Sequence, residues 1–280
     1  KLTSNCCCAR GVPPYLLCCC DSTCSTAAMS SPTKTVCKLD VDLHPCSIER
    51  FPGYSDIYAA GMYELDEGTG KRAGCVCLYK SPGGSLLNSF SLESGVLDMK
   101  FNRDYLGCSL STGSVYVAKY GGSAEHPEVV SSCYSPRAAF EHDDGLYLSL
   151  DWSVTQGSPT RAHLAASTQS GCVKLFSFTD SGDSLHLEPL ASLRGIHKLY
   201  GEVQPVWVVA FDPHTHAGSD RGTEPGSASG MAPLCSERIV TGGDDGLFKL
   251  WDTRCMDHTI GCAGASEPEP EAESSSCRPT

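Results

Sequence analysis

From residue 54 onward the chain is a succession of short apolar runs separated by turn residues. YSDIYAAGMYEL at 54–65 reads as a strand, a charged Gly-rich turn follows, and GCVCLY at 74–79 reads as its partner. A three-strand set comes next: GVLDMKF at 95–101, residues 105–110, and SVYVAK at 114–119, with turns at 102–104 and 111–113. LYLSLDW (146–152), residues 162–167 and CVKLFSF (172–178) repeat the set. VWVVAF (206–211), residues 238–242 and LFKLW (247–251) repeat it again. Alternating β-branched and aromatic residues, bounded by Gly, Asp, Asn and Ser, are the mark of strands and hairpins. No window of helical length carries a 3.6-residue apolar stripe.

The recurrence says more than any single strand. Such a unit cannot bury both of its faces alone, so it must stack on copies of itself, as the blades of a β-propeller do. The third strands begin near residues 75, 114, 172 and 247, a spacing that starts close to a propeller repeat and then stretches. Two loop-like insertions, 121–141 and 218–233, account for the stretching. The expected fold is all-β: about four blades, an incomplete ring where about seven is usual. Either the chain is a piece of a longer one, or its blades assemble with another chain. Expressed alone, it is then expected to aggregate.

Composition sharpens this picture. A net charge of -12 argues against nucleic acid, which needs a basic face to neutralise phosphates. No apolar run reaches membrane-spanning length, so no membrane partner is expected. The 18 cysteines suggest a disulfide scaffold, but seven fall within the first 24 residues and others, such as Cys75 and Cys77, sit inside apolar strands. A strand cysteine behaves as a small hydrophobe, so free thiols and a cytoplasmic location are expected. Residues 1–53 read as a Cys-rich segment outside the fold, with the first methionine at Met29. Residues 54–254 read as blades, and 255–280, with EPEPE and SSS, as an acidic disordered tail.

The most informative stretch is IVTGGDDGLFKLWDTR at 239–254. Asp244-Asp245-Gly246 makes a tight turn between two strands, and Trp251-Asp252 ends the second. Thr241, Asp245 and Trp251 with the upstream His197 can form a buried polar tetrad, the WD-repeat pattern. The run GGDDGLFKLWDTR resembles a blade of the diphthine methylesterase family. AAGMYEL, GVLDMKF, LYLSLDWS (146–153) and IHKLYGEVQPVWVVAF resemble that family in the same order, across roughly residues 54–254. The resemblance implies hydrolysis of the methyl ester of methylated diphthine on elongation factor 2, the expected partner, with no cofactor and no metal. The alternative is a non-catalytic WD-repeat scaffold, since one propeller fold hosts both kinds of function.

Ester hydrolysis needs an activated water and a place for the oxyanion. His197 is the candidate base and Asp244 the candidate that orients it, each weighed against a structural role: tetrad for His197, turn for Asp244. Two further motifs read as chance. Gly182-Asp183-Ser184-Leu185 spells an esterase nucleophile motif, but its only D-x-x-H, Asp183 to His186, overlaps the motif itself. His214, His216 and Cys235 lack the fuller spacing of a zinc site. The N-terminal CCC triplets match no zinc spacing either.

Overall fold

The innermost strands of four successive sheets pack side by side. The computed structural model describes residues 38–123, 125–136, 145–153, 160–212 and 238–253, all within the unit Cys37–Thr280. Blade 1 comprises β1 (His44–Arg50), β2 (Ile57–Leu65), β3 (Arg72–Lys80) and β4 (Ser85–Leu92). Blade 2 follows with β5 (Val96–Asn102), β6 (Tyr105–Leu110), β7 (Val115–Gly122) and β8 (Pro127–Tyr134). Blade 3 has β9 (Tyr147–Trp152), β10 (Arg161–Thr168), β11 (Cys172–Asp180) and β12 (Leu185–Arg194). A two-residue hairpin, β13 (Lys198–Leu199) with β14 (Glu202–Val203), leads to blade 4: β15 (Val206–Phe211), β16 (Arg238–Gly243) and β17 (Phe248–Asp252). Every blade is an antiparallel meander in chain order. No helix appears among the described residues.

The fold is therefore an all-β propeller arrangement of four blades, and its core lies between blades. Ile57, Val76 and Leu78 meet Met99, Leu106 and Tyr116 between the first two. Tyr105 and Val117 meet Trp152, Leu164 and Phe178 between the next two, and Val173 and Leu175 meet Val209, Phe211 and Ile239 between the last two. Close approach needs small residues. A Cβ on Gly61 would lie 2.7 Å from Val96 Cγ1 and 2.9 Å from the Met99 sulfur. No packing of comparable extent joins blade 4 to blade 1 among the described residues.

Two differences from the sequence reading stand out. The border at residue 53 falls too late, because β1 at His44–Arg50 is the inner strand of blade 1. The presumed loop at 121–141 contains β8, the outer strand of blade 2. Both strands show mostly polar or exposed side chains, so neither has the apolar alternation that announces a strand. Residues 1–37 and 255–280 lie outside the described residues, as do His214, His216 and Cys235.

A buried ion pair clamps blade 2 to blade 3. The Lys119 ammonium and the Tyr105 hydroxyl both donate to Asp180 Oδ2, each at 2.6 Å. Those two bonds outweigh the effect of burial and hold the Asp180 carboxyl down to about 2 from 3.8. A depressed carboxyl stabilises the fold above its unfolded value and loses that contribution as pH falls toward its folded one. Between about pH 4 and pH 2 the native chain should lose about 2 kcal/mol through this group. Denaturant titrations of the native chain and Asp180→Asn check this: the variant is expected to be less stable at neutral pH and to lack that part of the acid slope.

Candidate functional site

Blade 4 carries a relay of hydrogen bonds. The Trp251 indole N–H donates to Thr241 Oγ1 at 2.9 Å, and Thr241 Oγ1 lies 2.9 Å from His197 Nε2. His197 Nδ1 lies 2.7 Å from Asp245 Oδ1. A carboxylate only accepts, so Nδ1 carries the proton and Nε2 accepts from the threonine hydroxyl. Asp245 also receives the backbone N–H of Leu247 and the Lys249 ammonium, which donates onward to the Ile196 carbonyl. Burial works against the charge on Asp245, but the bonds from Lys249, His197 and Leu247 outweigh it and hold its carboxyl far below the usual range.

Local chain geometry explains how these groups meet. Gly246, at φ +70°, turns β16 into β17 and brings Asp245 over the sheet. Gly243 lets the imidazole lie flat against the backbone: a Cβ there would stand 2.6 Å from His197 Cγ. The histidine itself comes from the segment between blades 3 and 4, so the tetrad ties the blade junction to the β16–β17 turn.

The structure thus brings His197, Thr241, Asp245 and Trp251 together, and separates Asp244 from the role suggested for it. Asp244 accepts the Trp207 indole N–H at 2.7 Å on the surface, and the carboxylate that orients His197 is that of Asp245. The general-base reading of His197 fares no better on geometry. Its ring is fully buried and both nitrogens are engaged. Ser184 and His186 do approach, Oγ to Nε2 at 2.7 Å, but in an exposed hairpin turn where Ser184 also bonds Ser181.

A second polar cluster, not anticipated from the sequence, lies along the inner strands. Asp98 of β5 receives Ser47 Oγ of β1 and the Met99 N–H at Oδ1, and Ser149 Oγ and the Leu150 N–H of β9 at Oδ2. Asp151 of β9 receives the Phe211 N–H of β15 at 2.7 Å. Two aspartates therefore tie the four inner strands together: Asp98 joins β5 to both β1 and β9, and Asp151 joins β9 to β15. Between them Lys100 donates to Glu49 at 2.5 Å. Burial opposes its charge, yet Glu49, Asp98 and Asp151 together raise the Lys100 pKa. Asp151 moves the other way from its clamped counterpart Asp180. Burial pushes its carboxyl up, against bonds from Phe211 and Trp152 and the field of Lys100. A half-buried carboxyl held high beside a lysine is the pairing that acid–base chemistry uses. The sequence signal is a charge interrupting an apolar strand: Asp98 in LDMKF and, two strand positions further along, Asp151 in LSLDW.

No family model matches the chain. The diphthine methyltransferase homolog of Dictyostelium discoideum is 24% identical over 233 residues, which make up 74% of this chain and 53% of the relative. The chain spans about half the length of that curated relative. Among solved structures, the computationally designed Ika4 protein is 14% identical with a TM-score of 0.42, over 79% of this chain and 99% of that one. A chain of the mitotic checkpoint complex is 14% identical with a TM-score of 0.40, over 83% of this chain and 59% of that one. The ordered blade motifs and this sequence likeness point to the WD-repeat family of the diphthamide pathway.

Proposed function

We propose that the chain acts in diphthamide biosynthesis, as part of an esterase that hydrolyses the methyl ester of methylated diphthine on elongation factor 2. The observation that carries this reading is the ordered set AAGMYEL, GVLDMKF, LYLSLDWS and GGDDGLFKLWDTR, joined to a relative named for diphthine chemistry. The reaction adds water across the ester, leaving a carboxylate on the modified histidine and releasing methanol. We assign it to the inner strands beside Asp151 and Lys100. A carboxylate with a raised pKa takes a proton from the attacking water, and the lysine faces the negative charge that develops on the carbonyl oxygen. The tetrad then serves to hold blade 4 in register.

Mass measurement of methylated elongation factor 2, after incubation with the protein, tests this reading. The expected result is loss of one CH2 per modified histidine, abolished in Lys100→Met with the strand content unchanged by circular dichroism. Binding of elongation factor 2 with no mass change would instead favour the scaffold alternative.

A further inference from the structure

Three sulfur atoms share the face of blade 1 that lies opposite blade 2. Cys75 and Cys77 stand two residues apart on β3, so both side chains leave the same side of the sheet, and their Sγ atoms are 3.8 Å apart. Met62 of β2 is paired in register with Cys75, and directly paired residues of an antiparallel sheet project to the same face. Met62 and Cys77 are buried and Cys75 is half-buried. Val41 and Leu43, just ahead of β1, pack over them together with Tyr79. The opposite face of the same strands, with Val76 and Leu78, is committed to the core against blade 2.

We propose that Cys75, Cys77 and Met62 form a binding site for a soft metal ion of the Cu(I) class. Sulfurs 3.8 Å apart subtend about 110° at an ion ~2.3 Å from each, an angle suited to three or four ligands. Thiolates and thioethers are the ligands that select Cu(I). Among the described residues no three His, Cys, Asp or Glu side chains gather closely enough to hold an ion. Met62, paired with Cys75 on the same face, supplies the thioether that would complete the set, a ligand that disfavours harder ions. Binding replaces two S–H bonds with two Cu–S bonds and releases two protons to solvent. Met62 adds a lone pair, and no electron changes hands. Val41 and Leu43 cover the bound ion with apolar surface.

The chain has 18 cysteines, so the test must resolve individual thiols. The full chain is alkylated briefly under nitrogen, with and without chelator-buffered Cu(I), and each cysteine is followed by peptide mass spectrometry. Cu(I) is expected to slow alkylation of Cys75 several-fold while leaving Cys133, a half-buried thiol on β8, unchanged. Protection of Cys75 is expected to vanish in Cys77→Ser and in Cys77→Ala, and to need more free Cu(I) in Met62→Leu. Equal alkylation of Cys75 with and without Cu(I), or protection that persists in both Cys77 variants, would overturn the proposal. Neither readout involves elongation factor 2, so this site stands or falls apart from the esterase reading.

Discussion

Asp245→Ala is expected to cost about 3–5 kcal/mol of stability, the scale for removing one partner of a buried charge pair. The substitution strands three groups at once: the His197 Nδ1–H, the Leu247 N–H and the Lys249 ammonium. His197→Ala removes the middle of the relay and is expected to cost less, about 1–3 kcal/mol, because the carboxylate keeps two donors. Since both residues belong to one network, the double variant should fall well short of the sum. Urea titration of the four chains measures this directly. Additive losses would mean that the relay is not a unit. A His197→Ala chain of native stability that has lost only turnover would restore the histidine to a catalytic role.

The second large effect concerns the two end faces of the blade array. On blade 4, Val208 pairs with Gly242, which pairs in turn with Phe248, and Ala210 pairs with Val240, which pairs with Leu250, so these positions share the face away from blade 3. Phe248 is 82% exposed and Trp207, on β15, 53% exposed. On blade 1, Leu86 is exposed, and Ile48 and Tyr58 are exposed around an apolar cavity that Leu39 and Val41 also line. Equivalent faces at the three inner junctions are buried. Apolar patches of this kind drive association. The chain is expected to gain mass with concentration in light scattering, and Phe248→Glu to reduce that gain with little change in stability. A monodisperse monomer across the same range would show that the end faces tolerate water.

What the sequence disclosed, and what it hid, follows from where each element lies. The middle strands of every blade were legible because they are buried on both faces and read as apolar runs, as in GCVCLY and CVKLFSF. Outer strands such as β8, PEVVSSCY, meet solvent along one edge and alternate weakly, so they pass for loops. The inner strand β1 was hidden for a different reason. Its buried partners lie in blade 2, and its own residues, HPCSIER, are polar. The tetrad was legible because Thr241, Asp245 and Trp251 keep fixed offsets within one hairpin. The neighbouring blades keep the turn but not the residues. Blade 2 bonds Ser94, Ser111 and Thr112 through hydroxyls at the matching junction. The two aspartates show in the sequence as charges within apolar strands, but their partners do not, because Asp98 meets a backbone N–H 52 positions away and Asp151 one 60 positions away.

Hydrolysis and methyl transfer would both strip the methyl group from methylated diphthine, and the fate of one oxygen separates them. Attack by water at the ester carbonyl places the water oxygen in the product carboxylate. Passage of the methyl group to another acceptor leaves both original oxygens in place. The decisive measurement is therefore the mass of the diphthine-bearing peptide of elongation factor 2 after reaction in water enriched in oxygen-18. The esterase account predicts one heavy oxygen per carboxylate formed, with release of unlabelled methanol. Loss of the methyl group without uptake of heavy oxygen would contradict it.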